Sequence, residues 1–213
     1  LDRYVIREKV TFRDAATDYA QLLVAGPRAE QTLKAAAVGA LPQAPWSSSE
    51  LMFDDVGVTA GRSLWTIAPN FTLFVPKSAA ASVRERLTAG GAVSCDESVL
   101  EAARIEAGLP IAGLETSEKS LAQELDRIPQ TISFKKGCYL GQETLARLDA
   151  LGHVNKNLVG LRIAAADRTA VPPAGTELKS GEAVAGTITS AAWSPRLAAA
   201  VALAYVKTGS NQI

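Results

Sequence analysis

The chain has 213 residues, and its 22 lysines and arginines balance its 22 aspartates and glutamates, so the formal net charge is zero. That argues against a basic protein that tracks a nucleic-acid duplex. The longest uninterrupted apolar run, Leu197 to Val206, falls far short of the ~20 residues that cross a bilayer, so neither nucleic acid nor membrane is expected as a partner.

Val10 to Phe12 reads as a short strand and Tyr19 to Val24 as a second. Gly26-Pro27 then ends a strand and opens a helix, because proline suits the first helical position, where no N–H is required. That helix runs from Pro27 to about Ala37 and gathers Leu33, Ala36 and Ala37 on one side. A loop over Pro42 to Ser49 leads to four strand-like runs: Leu51 to Val56, Val58 to Gly61, Leu64 to Ile67 and Phe71 to Val75. Lys77 to Leu87 reads as a helix stopped by Gly90-Gly91, where a left-handed cap is sterically free. Ser98-Val99-Leu100-Glu101 has the pattern of a capping box opening another helix, which Gly108 and Pro110 close.

After Asn157 the texture changes. Leu158 to Ile163, Glu177 to Leu178, Ala183 to Ala185, Gly186 to Ser190 and Leu197 to Val206 are short strand candidates punctuated by Pro172-Pro173, Ser180-Gly181 and Ser194-Pro195; the alanines of the last run leave helix open there. The order predicts an α+β protein, antiparallel sheets with packed helices, followed by a small all-β unit. The expected boundary lies near residues 150–157, giving an α+β region over 1–153 and an all-β unit over 154–213.

A single histidine, His153, excludes a histidine-rich zinc site within the chain and reads as a loop residue. Cys95 and Cys138 lack the spacing of a redox pair, and no dense cysteine framework accompanies them, which points to a reducing cytoplasm. No metal site is expected. Cys138 stands in Lys135-Lys136-Gly137-Cys138-Tyr139-Leu140-Gly141-Gln142-Glu143, ahead of a helical stretch from Thr144 to Leu148 that includes Arg147. A helix opening at Gly141 or Gln142 would set its free N–H groups beside this sulfur, and with the two lysines would favour a thiolate. The alternative is a small buried apolar cysteine. Cys95, without such a neighbourhood, reads as structural. Glu106, in the last turn of the capped helix, opposes the helix dipole and needs a cation or donors nearby, from Arg104 or from a ligand. The plainer alternative is a solvated surface glutamate.

The octapeptide Lys136 to Glu143 with Arg147 resembles the defining motif of the YgfZ-type folate-binding proteins, relatives of the glycine-cleavage aminomethyltransferase. Arg104-Ile105-Glu106-Ala107-Gly108 resembles that family's Arg-x-Glu-x-Gly segment, and Gly186 to Ser190 with Ser194-Pro195 the strand pattern of its C-terminal barrel. The resemblance implies T-protein-like lobes around a folate cavity followed by a small C-terminal β-barrel over 154–213, with Glu106 holding the paired amino and ring N–H groups of the pterin. It further implies Arg147 and Arg104 as cationic cofactor-binding candidates, Cys138 as the reactive or ligating thiol, and Lys136, Gly137, Tyr139, Gly141, Gln142 and Glu143 as the surrounding motif. The implied cofactors are tetrahydrofolate or a derivative and a transient iron–sulfur cluster. The implied role is an accessory factor, not primarily an enzyme, for iron–sulfur assembly or client proteins. The same resemblance reads Leu1-Asp2-Arg3-Tyr4 as lying inside the first domain and Ile213 as short of the usual end, that is, a fragment. The rival reading is a tetrahydrofolate-dependent aminomethyl or one-carbon transferase. Against it, the Thr-Gly-Glu turn of the aminomethyltransferases is missing between Gly61 and Val75, where Pro69-Asn70-Phe71 stands. A third reading is a bare interaction module.

Overall fold

The structure is a computed structural model that describes residues 5–7, 9–164 and 168–209. Leu1-Asp2-Arg3-Tyr4 and Ile213, on which the expectation of a fragment rests, lie outside the described residues. The chain forms two compact units, Leu1–Ser94 and Cys95–Ile213, so the expected boundary at 153/154 falls within the second.

The first unit is a four-stranded antiparallel sheet of β1 (Tyr19–Ala25), β2 (Ser48–Phe53), β3 (Val56–Arg62) and β4 (Asn70–Pro76), in the order β1-β4-β3-β2. Phe53 pairs with Val56 across a two-residue turn, which ends the strand expected to run through Val56. Period-two alternation sends Leu51, Phe53, Val58, Ala60, Phe71, Leu73 and Val75 to one face. The helices α1 (Ala29–Ala36) and α2 (Ala80–Ala89) supply Leu33, Ala36, Val83 and Leu87 to the same core. In α1 the buried residues Ala29, Thr32, Leu33 and Ala36 follow the helical repeat. A 3₁₀ turn over Lys77–Ala79 precedes α2, and Gly91 takes the left-handed conformation after it, at φ 96°.

Two expected strands do not form. Val10 to Phe12 is irregular, with Val10 and Phe12 exposed. Leu64 to Ile67 wraps around the side chain of buried Asn70 instead. Its Oδ1 accepts from Ser63 Oγ at 2.8 Å and from the Trp65 N–H at 3.1 Å, while Nδ2 donates to the carbonyls of Thr66 and Ala68 at 3.1 and 2.9 Å. One amide thus satisfies backbone groups that a strand would have paired in a ladder.

The second unit opens with α3 (Glu97–Glu106). Its cap differs from the expected box: Asp96 is the N-cap, accepting from the N–H groups of Ser98 and Val99, and Ser98 Oγ donates to the same carboxylate at 2.6 Å. Glu101 pairs with Arg104 within the helix, so it does not reach back. Gly108, at φ 65°, closes α3 as expected. A 3₁₀ turn (Ala122–Leu125), the short α4 (Ile128–Thr131) and α5 (Gln142–Leu151) follow.

The second sheet comprises β5 (Lys156–Ile163), β6 (Glu177–Ser180), β7 (Ala183–Ser194) and β8 (Ala199–Lys207), all antiparallel, in the order β5-β8-β7-β6. The two strands expected over 183–190 are a single strand with a register shift between Ile188 and Ser190. The last run is a strand, not a helix, and it is buried on both faces. Val201 and Leu203 pack with Ile105 of α3 and Leu158, while Ala202, Ala204 and Val206 pack with Ile188 on the opposite face. Gly186 sits where a Cβ would lie 2.4 Å from the Tyr205 carbonyl oxygen, so the β7–β8 pairing leaves no room there for a side chain. The fold is α+β with antiparallel sheets, as expected. Among the described residues no helix is long and apolar enough to cross a membrane.

Candidate functional site

α3 ends against the second sheet, and that helix end and the loop after it bring two acidic groups there. The Glu106 side chain, 11% exposed, accepts from Ser194 Oγ at Oε1 and from Arg196 Nε at Oε2, the latter at 2.7 Å. Ser194 is fully buried, and its Oγ also accepts from the Leu197 N–H at 3.0 Å. The carboxylate is therefore oriented by the β7–β8 turn and is not a freely solvated surface glutamate. The cation expected beside it is Arg196, not Arg104.

Arg104 is 1% exposed and faces inward. Its guanidinium grips Glu101 through Nε at 2.6 Å and Nη2 at 2.5 Å, and its Nη1 donates to the Leu109 carbonyl at 3.0 Å and to Glu115 at 3.4 Å. The geometry makes Arg104 a support for the end of α3. Glu115, in the loop after α3, is buried: its Oε1 accepts from Ser190 Oγ at 2.6 Å and its Oε2 from the Ile111 N–H at 2.8 Å. Tyr205 Oη donates to the Glu115 backbone carbonyl at 2.8 Å. Burial, followed by the negative charges of Glu124 and Glu115, holds the Tyr205 hydroxyl above its usual titration range, against a hydrogen bond with Ser120 that lowers it. Lys156 lies 4.2 Å over the Tyr205 ring centroid and 3.8 Å from Glu124.

The motif octapeptide forms the loop into α5 and that helix's first residues. Gly141 is the N-cap at φ 83°, a left-handed conformation that glycine adopts without cost, and Leu145 N–H bonds back to its carbonyl at 3.0 Å. The loop is closed by Tyr139 Oη donating to the Ser133 carbonyl at 3.1 Å and by the Lys136 N–H donating to Ser133 Oγ at 3.2 Å. Lys136 Nζ stands 4.6 Å over the Tyr139 ring, a cation–π contact. Gly137 and Gly141 face open space on their Cβ sides. Cys138 is exposed, which removes the buried-cysteine alternative, and it precedes the N-terminus of α5 as the sequence implies. Cys95 is exposed too, and neither cysteine is in a disulfide. Arg147, Glu143 and the loop residue His153 are exposed. Gln123 Nε2 donates to the Leu145 carbonyl at 3.0 Å, tying α5 to the 3₁₀ turn.

Glu106 and Arg104 thus share one helix end, whereas Lys136, Gly137, Cys138, Tyr139, Gly141, Gln142 and Glu143 share one loop. The hydrogen bonds described above hold each group to its own surroundings. Sequence reasoning missed Glu115 and Arg196. Nothing in the local pattern of Leu114-Glu115-Thr116 marks a buried acid, although Ser194-Pro195-Arg196 lay beside a segment already singled out. Glu106, with two oriented oxygens, suits the paired N–H edge of a flat heterocycle. Among the described residues no three histidine, cysteine or acidic side chains converge as metal ligands. Two cysteines fall short of the four thiolates that ordinarily hold an iron–sulfur cluster, so the chain's own residues do not fit a resident cluster.

Residues 156–213 match the family of the glycine cleavage T-protein C-terminal barrel domain. An aminomethyltransferase of Streptomyces avermitilis is 34% identical over 91% of this chain and 53% of its own length. One from Symbiobacterium thermophilum is 30% identical over 94% of this chain and 54% of its own length. A candidate chloroplastic transferase of Arabidopsis thaliana is 29% identical over 100% of this chain and 48% of its own. The chain therefore spans about half the length of the curated relatives it matches. The crystal structure of the glycine cleavage system aminomethyltransferase T from Bartonella henselae superposes with a TM-score of 0.72 at 21% identity, over 88% of this chain and 52% of that one. The two sheets and their helices are an aminomethyltransferase-like fold of the glycine-cleavage T-protein type, ending in that family's C-terminal barrel domain.

Proposed function

We propose that the protein binds a reduced folate and acts as an accessory factor for the assembly or repair of iron–sulfur proteins in the cytoplasm, in the manner of the YgfZ-type proteins whose motif its octapeptide resembles. The observation that carries the folate half is the orientation of Glu106. Its carboxylate is held at the end of α3 by a buried hydroxyl on one oxygen and a solvent-exposed guanidinium on the other, and its two oxygens suit the amino and ring N–H groups of a pterin. Exposed Arg147 is a candidate partner for the anionic glutamyl tail. The accessory half rests on Cys138, whose sulfur reaches solvent from a loop closed by Tyr139 and Lys136. A single thiol suits contact with a client or assembly protein better than it suits storage of a cluster.

A second reading, aminomethyl or one-carbon transfer to tetrahydrofolate, is favoured by the names of the relatives, several of which are aminomethyltransferases.

Equilibrium titration with 5-formyltetrahydrofolate tests the first reading. Glu106→Gln should weaken binding about tenfold, the cost expected for losing one charge-assisted hydrogen bond, with little change in melting temperature; equal affinity removes the pterin assignment. In cells lacking the protein, Cys138→Ala should fail to restore iron–sulfur enzyme activity although the variant folds. Full rescue removes the thiol from the function. Turnover of an aminomethyl donor with tetrahydrofolate would establish the second reading in its place.

A further inference from the structure

Three partners surround the Glu106 carboxylate in a graded way. Ser194 is fully buried, the Glu106 side chain is 11% exposed, and the Arg196 side chain is 60% exposed. The hydroxyl therefore approaches the carboxylate from the interior and the guanidinium from solvent. Ser194 is fixed twice, since its Oγ donates to Glu106 and accepts from the Leu197 N–H. Arg196 makes a solvated ion pair at 2.7 Å, a class of contact that is individually weak and easily exchanged.

We infer that Arg196 is an exchangeable guard on Glu106, whereas Ser194 is its permanent positioning residue. A ligand that presents two adjacent N–H donors to both carboxylate oxygens must come from the exposed side, where the guanidinium stands. It competes with Arg196 for Oε2 and leaves the bond from Ser194 to Oε1 in place. The guard keeps the carboxylate satisfied without a ligand and disfavours ligands that offer one donor only, because a single hydrogen bond does not repay displacement of a charged one. This inference rests on Glu106 being the pterin anchor.

The test uses a pterin without a glutamyl tail, 6-methyltetrahydropterin kept reduced under argon, titrated calorimetrically into the wild-type protein, Arg196→Ala, Ser194→Ala and Glu106→Gln. Removal of the guard should tighten binding about two- to fivefold, the range expected for deleting a competing surface ion pair. Removal of Ser194 should weaken it. Raising salt, which screens the exposed pair, should tighten wild-type binding and leave Arg196→Ala unchanged. Were both residues mere supports for the turn, both alanine variants would bind more weakly. Arg196→Ala binding equally or more weakly, while Glu106→Gln remains impaired, overturns the guard and spares the anchor. A wild type and Glu106→Gln with the same affinity, or with no binding, overturn both.

Discussion

The Glu115 carboxylate is sealed inside the second unit, where its donors come from three stretches of chain. Ile111 donates from the loop after α3, Ser190 from β7 and Arg104 from α3 itself. A buried acid of this kind is stable only as part of its set, since leaving one member unpaired in a medium of low polarity is costly. Glu115→Ala should accordingly destabilise the protein by about 3–5 kcal/mol in denaturant titration, the cost of stranding a buried guanidinium and hydroxyl. A loss well under 1 kcal/mol would mean that Glu101 alone satisfies Arg104. Residue type had pointed to Glu106 and Cys138 as unusual, because each sits at a helix end whose dipole is a local property of the chain. Glu115 gave no such signal, because the hydroxyls that satisfy one of its oxygens lie more than seventy residues away and meet it only in the folded unit.

At the scale of single elements, α3 shows how a local rule can be right in kind and misplaced in register. The segment contains both Asp96 and Ser98, and either can cap a helix. Asp96 prevails because its carboxylate accepts from two free N–H groups and from the Ser98 hydroxyl together. The Ser98 hydroxyl bond, then that of the Val99 N–H and, least, that of the Ser98 N–H, hold the Asp96 carboxyl below its usual range against an opposing desolvation. A lowered folded-state value means that the ionised cap stabilises the protein above the ordinary value near 3.8, and that this contribution is lost as pH falls through the folded value. Asp96→Ala should therefore lower the melting temperature at neutral pH, and its difference from wild type should shrink on acidification below that range. A difference that persists undiminished at lower pH would assign the effect to packing. The Leu64–Ile67 segment failed for a related reason: its apolar residues read as a strand, but Asn70, a few residues onward, captures the backbone groups first.

Across the whole molecule, each unit buries its own core under its own antiparallel sheet. Leu73→Ala in the first and Leu203→Ala in the second should each cost about 2–5 kcal/mol, the range for deleting a buried leucine. Hydrogen exchange followed by mass spectrometry should show each change first in the sheet that carries it, β1 and β3 for Leu73 and β5 and β7 for Leu203; protection lost uniformly from both units in either variant would contradict this. By itself the sequence determined what depends on neighbours along the chain. It marked α1 by its helical repeat, β4 by its strand-like run between turns, the loop and glycine cap around Cys138, and the C-terminal strands between their proline and glycine turns. The tertiary structure alone decided that the alanine-rich run Ala199–Lys207 is a central strand, since its even-numbered small residues face one apolar cluster and its odd-numbered larger ones another. It alone decided that Arg196, not Arg104, meets Glu106. In both cases the deciding energy comes from groups distant in sequence, whose burial and pairing exist only once the sheet has closed over them.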